Sequence, residues 1–301
     1  MPSATWTDKP FRPSQRGQIF PTRCIITEPP FEFHQRFGII FHHRVICYIL
    51  RLVESSKYPL TWFEVGWHLT TAKNGLSAKT LERTLGTSYR VAWTMLQRYR
   101  VAMMRAKREP LSGDLEVDET LVGGVKKGGK RGRGTSKCIV VIAVELRQPK
   151  GFGRVRMRYI PDASGANLIP FVCDMVMPGS VVLTDGWRGY NNLHKHGYTR
   201  KETILSSSGD PAHVSMPGVH RVSSLLKRWI LGTHQGSIIP AHLQSYLEEF
   251  SFRFNRRTSR SRGLLFRRLL EQAAITGPII ETDITHGYKW SRFQQIDMKR
   301  S

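Results

Sequence analysis

Cysteine is scarce in this chain, and what there is lies apart. Cys24, Cys47, Cys138 and Cys173 are its four, with no Cys-x-x-Cys pair among them, so neither a zinc ribbon nor a thioredoxin-type redox site is readable. Isolated thiols of this kind fit a reducing cytoplasm. Long apolar runs are missing as well: nothing approaches the roughly 18 consecutive apolar residues of a membrane-spanning helix. Met1 to Trp6 lacks a basic flank leading into an apolar stretch, so no signal peptide is read there. No internal repeat is visible. Negative charge is the most conspicuous shortage, with 23 Asp+Glu against 46 Lys+Arg and a formal net charge of +23. An excess of that size favours a polyanionic partner, because each phosphate neutralised releases condensed counterions; a membrane surface or an acidic protein would also answer it.

What is present is an otherwise ordinary globular composition over 301 residues, enough for about two domains. Against the basic background one acidic strand stands out, Leu115-Glu-Val-Asp-Glu-Thr-Leu-Val-Gly-Gly124. A period of two puts Glu116, Asp118 and Thr120 on one face and Leu115, Val117, Glu119 and Leu121 on the other. Asp118 is the central acid; Glu116 and Glu119 are assigned supporting roles. A second apolar strand ending in an acid, Val181-Val-Leu-Thr-Asp185, follows 67 residues later. Two carboxylates at strand positions in so basic a chain suggest a metal held against phosphate.

Residues 1–57 are basic and show no steady periodicity, apart from the apolar Gly38 to Leu50. From Tyr58 the pattern becomes helical, with Leu60, Phe63 and Trp67 on one stripe. Ser77 suits an N-cap for Ala78 to Leu85, Gly86 ends that helix, and Thr87-Ser88 can start a third. Three short helices with a tight Gly-containing turn describe a helix-turn-helix unit over 58–108. Its third helix is expected to expose Arg90, Gln97, Arg98 and Arg100 to phosphates or a major groove; a plain packing unit with a solvated basic face is the alternative. Lys126 to Lys137 carries six basic residues and no acid, and Lys126, Lys127, Lys130, Arg131 and Arg133 are expected to hold nucleic-acid backbone. Gly124 to Lys130 nearly matches a phosphate-binding P-loop but fails where Arg131 replaces Ser/Thr.

Cys138 to Leu146 reads as a buried strand and Gly153 to Ile160 as an alternating one. A helix capped by Ser164 and then the Asp185 strand follow. Strand, strand, strand, helix, strand and then helices predict an α/β domain over 111–275, a mixed sheet with flanking helices. That order is what a ribonuclease H-like fold requires, and it would bring Asp118 and Asp185 side by side. The stretch from Tyr190 to Pro217 reads as loop. Beyond it, a helix from Val219 to about Leu231 aligns His220 and Lys227 two turns apart, opposite an apolar stripe of Val222, Leu225/Leu226 and Trp229. The last helices, about 240–256 and 262–275, bring arginines that include Arg256 and Arg257, taken as phosphate contacts. Residues 276–301 read as a tail.

Several of these stretches together are similar to the ISXO-type insertion-sequence transposases of the DDE superfamily. They are Trp62-Phe63, Lys73-Asn-Gly-Leu-Ser77, Ala92-Trp-Thr-Met-Leu96, Val117-Asp-Glu-Thr120 with Gly123-Gly124, Thr184-Asp-Gly-Trp-Arg-Gly-Tyr190, His220-Arg-Val-Ser-Ser-Leu-Leu-Lys227 and Gly232-Thr-His-Gln-Gly236. His242-Leu-Gln-Ser-Tyr-Leu-Glu-Glu-Phe250 and Phe252-Arg-Phe-Asn-Arg-Arg257 complete the series. The resemblance runs from about 55 to 275. It implies a ribonuclease H-like catalytic domain that cuts and joins insertion-sequence ends, with double-stranded DNA as partner, a homo-oligomer on DNA, and two Mg²⁺ (or Mn²⁺) ions. Asp118 would bridge the ions, Asp185 would bind one, and His220, where many relatives have Glu or Asn, would bind or orient the other. Lys227 would contact a phosphate near the scissile bond. Relatives often carry a Cys-rich zinc ribbon upstream, so residues 1–57 are expected to be its degenerate counterpart. A cytoplasmic, nucleoid-associated location follows. A regulatory or inactivated DNA-binding descendant, and a ribonuclease H-like nuclease acting on RNA or junctions, are the rival readings.

Overall fold

The structure is a computed structural model that describes residues 59–104, 108–123, 137–147, 149, 151–203, 215–236, 238–276, 279 and 281–285. Expectations for the N-terminal segment, for the basic residues Lys126, Lys127, Lys130, Arg131 and Arg133, and for the end of the tail lie outside those residues.

Three helices come first: α1 (Pro59–Thr71), α2 (Ala78–Leu85) and α3 (Tyr89–Ala102). Local chemistry sets their ends as the sequence predicts. Ser77 Oγ accepts from Thr80 N–H at 3.1 Å, Gly86 closes α2 in the left-handed region at φ 62°, and Ser88 Oγ accepts from Val91 N–H, each satisfying groups a helix end leaves open. The buried stripe of α1 differs from the expected one. Val65 and Leu69 are fully buried, whereas Leu60 is 76% exposed and Trp67 is exposed too, its ring meeting Phe266 edge-on at 5.6 Å.

The sheet follows: β1 (Asp114–Val122), β2 (Cys138–Leu146), β3 (Phe152–Ile160), then α4 (Gly165–Met175), β4 (Val181–Asp185) and β5 (Thr199–Thr203). Its order is β3-β2-β1-β4-β5, with β1 to β3 antiparallel and β4 and β5 parallel to β1. This is the ribonuclease H-like mixed sheet expected, with one strand more, since β5 falls where the sequence reads as loop. β2 is apolar on both sides. It sends Val141 and Ala143 into a core with α4, and Val140, Ile142 and Val144 into a second core with the helices beyond, as burial on both faces requires.

Those helices are α5 (Pro217–His234), α6 (Pro240–Phe254), α7 (Arg262–Ile275) and the short α8 (Glu281–Thr285). α5 and α6 cover the second face of the sheet. α6 and α7 also reach the first three helices, because Phe252 and Leu269 sit in the same cluster as Val65, Leu81 and Leu96. All the described residues belong to one compact unit.

Candidate active site

The parallel register of β1 and β4 pairs Leu115 with Val182 and Glu116 with Leu183. Continued two residues, it sets Asp118 opposite Asp185, where β4 ends. Asp118, Glu119 and Asp185 each offer a carboxylate oxygen to one cluster, all within 4.8 Å of one another and all half-buried. Glu119 is the addition the sequence misses. Period two sends it to the other face, but its strand has no ladder partner on the β4 side beyond Glu116, so a long side chain there can reach round the open edge. An acid directly following the central acid of β1 is the signal that points to it.

The cluster is built on backbone. Asp118 Oδ1 accepts from Glu119 N–H at 2.7 Å and Asp185 Oδ1 from Trp187 N–H at 3.0 Å. The Trp187 indole N–H donates to Ala163 O at 2.6 Å, and Arg200 braces the end of β4 by donating to Thr184 Oγ1 and to the Asp185 carbonyl. Tyr190 is fully buried, and burial together with the charges of Glu119, Asp118 and Asp185 raises its phenol well above the ordinary value. Like charges this close repel. An all-oxygen carboxylate set is a hard donor set, so these residues fit Mg²⁺ or Mn²⁺.

The neighbours of Asp118 on its own face fasten β1 to α5. Glu116, 2% exposed, accepts from Val219 N–H at 2.8 Å in the first turn of α5, where the helix dipole favours a carboxylate. Burial nonetheless raises its pKa, against the pull of the Val219 and Gly218 N–H groups. A Cβ on Gly218 would lie 2.9 Å from Glu116 Oε2 and 3.1 Å from the Phe152 ring, so only glycine allows this approach. Two residues beyond Asp118, Ser223 Oγ donates to Thr120 Oγ1 at 2.8 Å. The His220–Ser223–Lys227 side of α5 was expected to lie opposite the apolar stripe; Ser223 is in fact buried against β1.

Lys227 is exposed. Partial burial of its stem and the nearby Lys137 lower its pKa, with Asp118 pulling the other way. His220 does not join the carboxylates; its ring is half-buried and its Nε2 has no hydrogen-bond partner among the described residues.

The expected DNA-facing arginines divide. Arg90 is exposed and pairs with Glu281, while Arg98 lies half-buried with its guanidinium 5.7 Å from the Trp62 ring centre. The expectation that α3 shows Gln97 and Arg100 to solvent is overturned. Arg100 is 1% exposed, and its Nε–H donates to Glu249 at 2.8 Å. Gln97 is buried against Tyr246 and Ser245. The cause is that this face of α3 packs on α6, whose acid lies 149 residues away. Arg256 and Arg257 stack on Phe252 and Phe254, each 4.0 Å from the ring centre, and Arg257 also donates to the Phe152 and Gly153 carbonyls. Much of the hydrogen-bonding capacity of Arg257 is therefore spent on holding the end of α6 to β3, while Arg256 donates back to the Phe252 carbonyl.

Residues 110–255 match the family profile of the ISXO2-like transposase domain. Among solved structures, the chain is similar to the catalytic core domain of BIV integrase, at 14% identity and a TM-score of 0.34, over 63% of this chain and 99% of that one. No curated protein matches it.

Proposed function

Because residues 110–255 match the profile of the ISXO2-like transposase domain, we propose that this chain cuts and joins the ends of an insertion sequence by metal-dependent phosphoryl transfer. The observation that carries the reading is the convergence of Asp118 and Glu119, at the middle of β1, with Asp185 at the end of the parallel strand β4 beside it. Those three residues would hold the divalent metal, which when bound supplies Lewis acidity at the phosphoryl oxygens.

The rest of the chemistry belongs to side chains. Trp187 N–H and the Arg200 brace keep the Asp185 carboxylate aimed at the site. Glu116 and Ser223 hold α5 against β1, so that Lys227 projects beside Asp118 and meets a phosphate next to the scissile bond. His220, whose Nε2 has no hydrogen-bond partner among the described residues, orients the attacking group: water in cleavage, a terminal 3′-hydroxyl in joining. Arg90 and Arg98 on α3, with the basic loop from Lys126 to Arg133, hold the double-stranded DNA. A homo-oligomer brings two ends together.

The test is strand cleavage by the full chain on a labelled terminal-repeat duplex with Mg²⁺ or Mn²⁺. Asp118→Ala is expected to lower the rate by about a thousandfold, ~4 kcal/mol in the barrier; equal nicking by the two proteins sinks the catalytic reading. A second reading, a transposase descendant that binds DNA without cutting it, is favoured by the place of His220 outside the carboxylate cluster. It predicts sequence-specific binding with no metal-dependent nicking by the unaltered chain.

A further inference from the structure

On the edge of the sheet away from β4, a cavity of about 320 Å³ opens where β3, the end of α6 and α7 meet. Four arginines line it. Arg108 pairs with Glu248, Arg154 is bound to Glu145 at 2.6 Å and also meets Glu109, and Arg256 rests on the Phe252 ring. Arg156 is different. It is 6% exposed, forms no ion pair among the described residues, and donates only to the carbonyl oxygens of Val155 and Glu109, at 3.1 and 3.0 Å. Its Nε–H is buried with no acceptor among the described residues. Burial, with Arg108 and Arg154 alongside, pulls its pKa down to about 10 against the opposing charges of Glu248 and Glu145, which are themselves paired with Arg108 and Arg154.

A second polar side chain in the same cavity is also incomplete. Gln272 is 6% exposed, and its Oε1 has no donor among the described residues. A half-turn about the last torsion of an amide exchanges its oxygen for its NH₂, which would present a donor to an acceptor in the cavity. Burying a guanidinium with no carboxylate in direct contact is unfavourable, and the forked N–H groups of arginine match the oxygens of phosphate. We propose that this cavity binds a phosphate group, held by Arg156 with Gln272 as second donor, at a place separate from the carboxylates. The group is either free phosphate or a phosphodiester of bound DNA. The binding itself is independent of the transposase reading; only the DNA source rests on it.

The experiment follows thermal unfolding of the full chain at constant ionic strength, with sodium phosphate replacing sodium chloride. A rise of about 5 °C is expected at a hundredfold excess over the dissociation constant. Arg156→Met, which keeps volume without charge, should abolish the rise, and Gln272→Leu should reduce it. No rise over chloride in the unaltered protein overturns the proposal, and so does a rise that survives in both variants. In a second arm, duplex affinity is measured against salt. A slope lowered by about one in Arg156→Met identifies the DNA backbone as the source, whereas a phosphate-specific rise with an unchanged slope identifies free phosphate. Failure of the unaltered chain to bind duplex, with the phosphate rise intact, would count against the transposase reading and leave this site standing.

Discussion

Two acidic clusters in this molecule are built on opposite principles. At the junction of α3 and α6, Glu249 is wholly buried between cations. Arg100 Nε–H donates to it at 2.8 Å and Arg253 Nε–H at 3.0 Å, and the two arginines use further N–H groups on the Leu76 and Ala72 carbonyls. Burial alone would push the Glu249 carboxyl up, and Arg100 and Arg253 outweigh it and hold it below the usual range. Where the middle of β1 meets the end of β4, three carboxylates share one half-buried place within 4.8 Å of each other. The first arrangement is complete within the protein. The second is a concentration of like charge that an added cation relieves. Opposite charges gathered in the interior indicate a structural role, and like charges gathered at a rim indicate a role that needs a partner.

That contrast can be broken in three places, from the largest effect down. Glu249→Ala leaves two guanidinium groups buried without their acid, and a loss of about 3–5 kcal/mol is expected in urea unfolding. A loss near zero would mean the network carries no weight. Next comes pH. His234, packed between Trp229 and Tyr246, has its pKa lowered to about 4, by burial first and then by Arg100, against Glu249. Because the folded pKa is the depressed one, this histidine's contribution is fully present above the unfolded value of about 6.5 and is lost as pH falls from there through about 4. It is worth roughly 3 kcal/mol across that window. The difference in stability between the unaltered chain and His234→Phe should shrink by that amount between pH 7 and pH 4; a constant difference refutes the assignment. The smallest effect has the other sign. Asp118→Asn relieves repulsion, so in metal-free buffer unfolding should stay level or move up by about 1 kcal/mol or less. A clear destabilisation would show that the carboxylates hold the fold rather than a cation.

The parts that could be read in advance are those where local chemistry decides. Ser77, Gly86 and Ser88 announce helix ends through their own side chains or φ, and β2 announces itself by burying both faces. Asp118 and Asp185 were legible as strand-borne acids because the crossover order puts their strands together. β5 was not legible. Thr199 to Thr203 is polar and mostly exposed, an edge strand whose pairing with β4 leaves no apolar alternation behind. Nor was the burial of Arg100, since the charge that draws it inward lies on a distant helix. Glu119 was missed for a third reason: period two describes where a Cβ points, whereas a long side chain at an open edge can turn back.

The core shared by α1–α3 with α6 and α7 has one more consequence. Val65, Leu81 and Leu96 pack with Phe252 and Leu269, and the Arg100–Glu249 pair bolts the same junction. A DNA duplex gripped by α3 would therefore be held at an offset from β1 and β4 that this shared core sets. The number of base pairs from the recognised sequence to the cut would be a dimension of the protein, as invariant as the length of a ruler.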